Sequence, residues 1–215
     1  MSKVKIYDIS MPVHENMQVY KNKEEKKPVF SVIRDFTNGD AFETNVKMDM
    51  HTGTHMDAPL HMVEGGETID KTDLTKCITL CRVIDCTEIK GCVKKSDLEK
   101  KDIKPGEFIL LKTKNSFTEQ FEYDFVYLEK SGARYLQEMK ITGVGIDALG
   151  IERSQKGHET HKLLLGSDIL IIEGLRLKNI RAGEYLLIAL PLKMEKLEAA
   201  PVRAVLIEKD AWRNI

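Results

Sequence analysis

Three histidines and an aspartate fall within eleven residues: His51, His55, Asp57 and His61, in the run His-Thr-Gly-Thr-His-Met-Asp-Ala-Pro-Leu-His. Six histidines spread evenly over 215 residues would put roughly 0.3 in such a window. Imidazole nitrogen and carboxylate oxygen are the ligand set preferred by zinc, and also by manganese and iron. A lone histidine ordinarily caps a backbone group or meets solvent. Three of them with a carboxylate are better explained by a shared divalent cation.

Regular structure cannot bring these groups together. All four sit at odd positions, so a straight strand would project them from one side but spread them over roughly 33 Å. A straight helix would pair His51 with His55 and send His61 elsewhere. The chain must bend, and it has the means. Gly53 permits otherwise strained dihedrals, Pro59 biases Ala58 away from the helical region, and Thr54-x-x-Asp57 offers the start of a helical turn. A strand entering such a bend places His51, His55 and Asp57 around one point, with His61 slightly beyond as an acid or base.

The elements that must position this cluster read as α/β. Runs rich in β-branched residues predict strands at 4–9, 42–50, 78–85, 108–111, 143–147, 169–173, 185–190 and 202–208. Alternation over 42–50 suits a half-buried strand, whereas 169–172 is apolar on both faces, as in a covered central strand. Helices are predicted from the Ser96-x-x-Glu99 capping box, over 132–140 and over 159–165. No repeat or linker divides residues 1–215, so a single domain with a mixed sheet is expected. Glu173 ends the apolar strand, a place where α/β proteins build sites, and His161 stands twelve residues earlier. Asp147 ends another strand and reads as structural but near the site. His158 and His14 read as surface histidines, and residues 21–27 as an exposed loop or flap.

Composition narrows the class. Lysine plus arginine is 33 and aspartate plus glutamate 34, a net charge of −1, which gives no electrostatic footprint for nucleic acid or anionic membrane. Hydrophobic residues at 42% and charged residues at 31% exclude a disordered chain. No run approaches the roughly 20 apolar residues of a membrane span, and the first eleven residues lack the apolar core of a signal peptide. Cys77, Cys81, Cys86 and Cys92 include no C-x-x-C pair and read as small buried hydrophobes of a cytoplasmic protein.

The eleven-residue run resembles the signature H-x-G-T-H-x-D-A-P-x-H of the cyclase family of metal-dependent hydrolases, which includes bacterial kynurenine formamidases and isatin hydrolases. All eight fixed positions are filled. The resemblance continues through Asp8-Ile-Ser-Met-Pro12, Gly145-Ile-Asp147, Glu159-Thr-His161, Ile171-Ile-Glu173, Leu190-Pro-Leu-Lys193 and Pro201-Val-Arg-Ala-Val205. It implies a swivelling β/β/α fold and a homodimer with parts of the partner subunit near the active site. It further implies one metal on His51, His55 and Asp57, with Asp57 bridging to a second held by His161 and Glu173, and His61 as proton donor and acceptor.

The implied activity is hydrolysis of a non-peptide carbon–nitrogen bond by metal-activated water. The expected substrate is an aryl formamide such as N-formylkynurenine, from tryptophan catabolism. Two zinc ions per subunit are expected, with manganese the alternative. Hydrolysis of a cyclic amide or lactone is the neighbouring possibility, and a non-catalytic metal-binding module the reading from another class. Two positions depart from the family pattern. Tyr20, followed by Lys-Asn-Lys, stands where kynurenine formamidases carry a substrate-packing indole and then Pro-Gly-Asp; the chain's one tryptophan is Trp212. Gly174 replaces an asparagine common after the glutamate.

Overall fold

The computed structural model describes residues 4–208; Trp212 lies outside them. Twelve strands and four α-helices follow one another among the described residues. The strands are β1 (Ile6–Asp8), β2 (Val29–Arg34), β3 (Glu43–Lys47), β4 (His55–Asp57), β5 (Ile78–Asp85), β6 (Cys92–Val93), β7 (Phe108–Lys112), β8 (Tyr127–Leu128), β9 (Gly143–Ile146), β10 (Leu170–Glu173), β11 (Gly183–Pro191) and β12 (Ala199–Glu208). The helices are α1 (Leu74–Cys77), α2 (Lys95–Leu98), α3 (Lys130–Glu138) and α4 (Glu159–Leu165).

Eight strands form one mixed sheet in the order β1-β12-β11-β5-β7-β9-β10-β4, and β4 also pairs with β12, which closes the sheet into a barrel. β5, β7, β9 and β10 run parallel, joined by connections that carry the helices. β4 lies antiparallel to both its neighbours. His55 stands opposite Glu173 on one side and Pro201 on the other. This three-residue stave is therefore the barrel's closing element.

Side-chain alternation divides the chain into two cores. Met56, Phe108, Leu110, Ile172, Leu187, Ala200 and Leu206, drawn from strands all round the ring, fill the barrel interior. Ile109, Leu111, Val144, Ile146 and Ile171 point outward and pack beneath Leu136 of α3 and Leu164 of α4. The period of two places His55 and Asp57 on the side of β4 opposite Met56, and Glu173 opposite Ile172.

Most predicted strands and two helices lie within a few residues of their observed positions, and the mixed α/β class is as expected. Three local expectations change. β3 is exposed at every position, because among the described residues it pairs only with β2 in a separate two-stranded ribbon and no layer covers either face. The capping box at α2 is built two residues earlier, with Asp97 accepting from the Lys94 amide rather than Ser96 acting as cap. Residues 54–57 start no helical turn. They enter β4, and the Thr54 hydroxyl instead donates to Gly174 O (2.7 Å) and accepts from Met11 N (2.7 Å). Cys77, Cys81 and Cys86 are buried and free, and burial pushes their thiols up to about 11, 12 and 12, so they pack as small apolar groups.

Gly174 ends β10 with φ +70°, and a Cβ there would meet the Gly53 carbonyl oxygen at 2.2 Å. The asparagine common in the family has no room in this chain. Gly174→Ala combines a positive-φ penalty with that clash and is expected to lower unfolding free energy by more than about 1 kcal/mol. Chemical denaturation measures this, and an unchanged midpoint would show that the two backbones can part freely.

Candidate active site

The bend that carries the histidines is assembled residue by residue. Asp49 Oδ1 accepts from the His51 amide (2.9 Å), and Gly53 adopts φ +67° to turn the chain into β4. After Asp57, Ala58 is extended and donates to Glu198 O (2.8 Å). Pro59 then opens the short 3-10 turn Pro59–His61 that brings His61 back. Gly53 and Pro59 thus act as their chemistry predicted.

The structure brings the six candidate residues His51, His55, Asp57, His61, His161 and Glu173 together. His51 Nδ1 lies 3.1 Å and His55 Nε2 3.6 Å from Asp57 Oδ1, while His161 Nε2 lies 3.7 Å from Asp57 Oδ2. Glu173 divides in the same way: Oε2 is 3.3 Å from His55 Nε2 and Oε1 is 3.3 Å from His161 Nε2. The His61 ring centroid lies 4.3 Å from that of His51 and 5.4 Å from that of His161.

Each inward imidazole nitrogen is fixed by what its other nitrogen binds. His55 Nδ1 donates to Gly53 O (2.9 Å) and His161 Nδ1 to Glu152 Oε1 (2.8 Å), which leaves both Nε2 atoms facing the carboxylates. Burial opposes charge on His55, but Glu173 and Asp57 prevail and hold its pKa up at about 9. Burial likewise opposes charge on His161, and Glu152 and Glu173 hold it up at about 10. Burial and Glu173 push the Asp57 carboxyl up, yet His51 and His55 hold it below the usual range. Burial pushes Glu173 up too, but His161 and His55 hold it well below. His61 goes the other way: burial lowers it, and although Asp57 raises it, His51 and His161 add to the depression.

His55 Nε2, Asp57 Oδ1 and Asp57 Oδ2 are buried without a hydrogen-bond partner. Buried polar atoms are rarely left so, and their convergence calls for positive charge among them. Protons on His55 and His161 can supply it; a divalent cation would supply it with nitrogen and oxygen donors of the right kind. The donor set therefore fits a metal.

A cavity of about 210 Å³ opens beside these groups, lined by His51, His61, His161 and Glu173 together with Tyr20, Lys26, Met62, Leu149 and Gly150. Tyr20, the candidate substrate-packing residue, stands edge-on to Phe121 at 5.3 Å. Of residues 21–27, Lys26 reaches the cavity wall. His158 is an exposed histidine, as expected, with its side chain 58% exposed. It also touches the site: its Nδ1 contacts Glu152 Oε1 (2.8 Å) and the residue stands at the cavity wall, on a left-handed backbone at φ +53°. Asp147 lies off the site, accepting from the amides and hydroxyls of Thr113 and Ser116, and His14 is exposed. Glu152, which orients His161, and Glu198, 3.4 Å from His51 Nε2, carried no local sequence signal.

Residues 7–153 match the sequence model of the family described as putative cyclase. The chain belongs to the cyclase family. A kynurenine formamidase of Sphingopyxis alaskensis is 32% identical over 209 residues, covering 95% of this chain and 98% of that protein. A solved structure described as a potential metal-dependent hydrolase with cyclase activity is 46% identical, superposes with a TM-score of 0.90 and covers 96% of this chain and 99% of its own. An isatin hydrolase bound to thioisatinate, 23% identical with a TM-score of 0.80 over 95% of this chain and 92% of its own, shares the fold. This cyclase-family chain is a hydrolase. Among the described residues no helix is long and apolar enough to cross a membrane.

Chelator-treated protein should unfold at a lower temperature than protein given a divalent ion. About 2.7 kcal/mol is regained at one hundred times the dissociation constant. Affinity should weaken as pH falls, because His55 and His161 must release protons to bind. Differential scanning calorimetry with and without metal tests this; Asp57→Ala should show no metal-dependent shift, and an equal shift in that variant would remove Asp57 from the binding set.

Proposed function

We propose that this protein is a divalent-metal-dependent amidohydrolase. It would cleave an N-formyl aromatic amine, foremost N-formylkynurenine in tryptophan catabolism, to formate and the free amine. The observation that carries the reading is the trio of buried atoms on His55 and Asp57 that lack a hydrogen-bond partner, set beside a cavity with His61 on its wall. A closed structural metal site needs neither the cavity nor a further histidine.

His51, His55, Asp57, His161 and Glu173 would hold the metal. The division of Asp57 and Glu173 between the His51/His55 side and the His161 side supports two ions per subunit. Zinc suits these donors, with manganese the alternative. When bound, a divalent ion acts as a Lewis acid and lowers the pKa of water from about 15.7 to about 7.

The protein's own residues supply the rest. His61, held neutral by burial, takes the proton of the attacking water on an imidazole nitrogen and passes it to the departing amine nitrogen as the C–N bond breaks. Tyr20, Met62 and Leu149 give the aryl group an apolar wall, and Tyr20 is kept in place by Phe121 and Phe125. Glu152 keeps His161 in one tautomer.

The relatives' activity brings the formyl amide to this chain, and the small cavity beside an aromatic wall supports it. His61→Ala should keep its metal by elemental analysis while kcat for N-formylkynurenine falls by about 10²–10⁴-fold. Equal turnover in both proteins would refute the proton-transfer role, and no turnover of any formamide by wild type would refute the substrate class.

The reading includes a homodimer in the cytoplasm. Free, buried thiols suit a reducing compartment. The β2–β3 ribbon exposes Val29, Ile33, Phe42 and Val46, with Phe36 at its turn 76% exposed. A two-stranded ribbon is marginal alone in water, and a second copy would bury these groups. Sedimentation should give twice the chain mass, reduced to one chain by Phe36→Asp with Phe42→Asp; a monomeric wild type would refute the dimer.

A further inference from the structure

The cavity wall carries a cation whose purpose the hydrolytic machinery does not explain. Lys26 ends the 3-10 turn Glu24–Lys26, and its ammonium donates to Asp49 Oδ2 at 3.0 Å with the side chain 29% exposed. Two contacts tie it to the segment that presents His51: Asp49 Oδ1 accepts from the His51 amide, and Lys26 O accepts from the Thr52 hydroxyl (3.4 Å). Lys26 lines the cavity, whereas Asp49 does not. Asp49 is engaged with the His51 amide, and Lys26 is the member of the pair that reaches the cavity wall. An ammonium has three N–H donors, and Asp49 takes one.

We propose that Lys26 is a specificity-determining residue, selecting substrates that carry a carboxylate on the group attached to the scissile amide. The proposal rests on the amidohydrolase reading and narrows its substrate class. A cavity of about 210 Å³ suits a single-ring substrate, so a ring carboxylate stays close to the wall groups. There it meets a partly desolvated ammonium already positioned by Asp49, the setting in which charged hydrogen bonds contribute most. A clamp whose only task was to hold Asp49 would have no need to face the cavity.

The test compares 2-formamidobenzoate with formanilide, which lacks the carboxylate, on metal-loaded wild type, Lys26→Met and Lys26→Arg. The ratio of kcat/KM for the acid over the neutral amide should fall about tenfold in Lys26→Met, mainly through KM, and be largely restored in Lys26→Arg. A ratio unchanged by Lys26→Met, whatever happens to the absolute rates, would show that Lys26 only braces the His51 segment and would overturn the proposal. If wild type hydrolyses neither compound, the amide reading itself falls and takes this one with it. If it hydrolyses formanilide while Lys26→Met leaves the ratio intact, only the selectivity fails.

Discussion

Asp57 and Glu173 are buried carboxylates, and the fold is organised around the imidazoles that make their burial tolerable. Removing a carboxylate from water costs several kcal/mol unless opposite charge and hydrogen bonds replace the solvent. Here the replacement comes from His51 and His55 on one side and His161 on the other, within 3.1–3.7 Å of carboxylate oxygens. None of these groups is placed well without the others. The tolerances of the site therefore become tolerances on the strands and the helix that carry it.

Barrel closure meets that demand. β4 is held on both edges, by β10 and by β12, so the positions of His55 and Asp57 are fixed by backbone ladders rather than by a loop. The same alternation that sends Met56 into the apolar interior sends the two ligand candidates outward, where α4 brings His161 over them. A second layer then fixes orientation: the Gly53 carbonyl on His55, Glu152 on His161 and Asp49 beneath His51. Close backbone approach at Gly174 lets β10 and the bend before β4 meet at the carboxylate end. Stability and chemistry thus draw on the same strand.

The cavity separates two tasks. His55, Asp57, His161 and Glu173 are buried and His51 and His61 partly so, whereas Tyr20 and Lys26 on the cavity wall come from the N-terminal segment of short turns. Changes in that segment can alter what is accepted without moving the carboxylates. Specificity carried on such segments can vary while a scaffold keeps its chemistry.

The sequence by itself determined the local chemistry. Histidine and aspartate spacing, Gly53, Pro59 and the apolar run ending at Glu173 are short-range signals, and they announced the bend, the central strand and the donor types. Composition and periodicity likewise foretold a mixed α/β chain. Tertiary structure decided the rest. Only the pairing of β4 with β12 shows that the sheet closes, because register between residues some 140 apart leaves no local pattern. Only burial distinguishes Glu152 from the many exposed glutamates, and only the cavity distinguishes Lys26 from its neighbouring lysines. The alternation over 42–50 was real, but whether an apolar face is covered depends on what packs against it, which no stretch of nine residues contains.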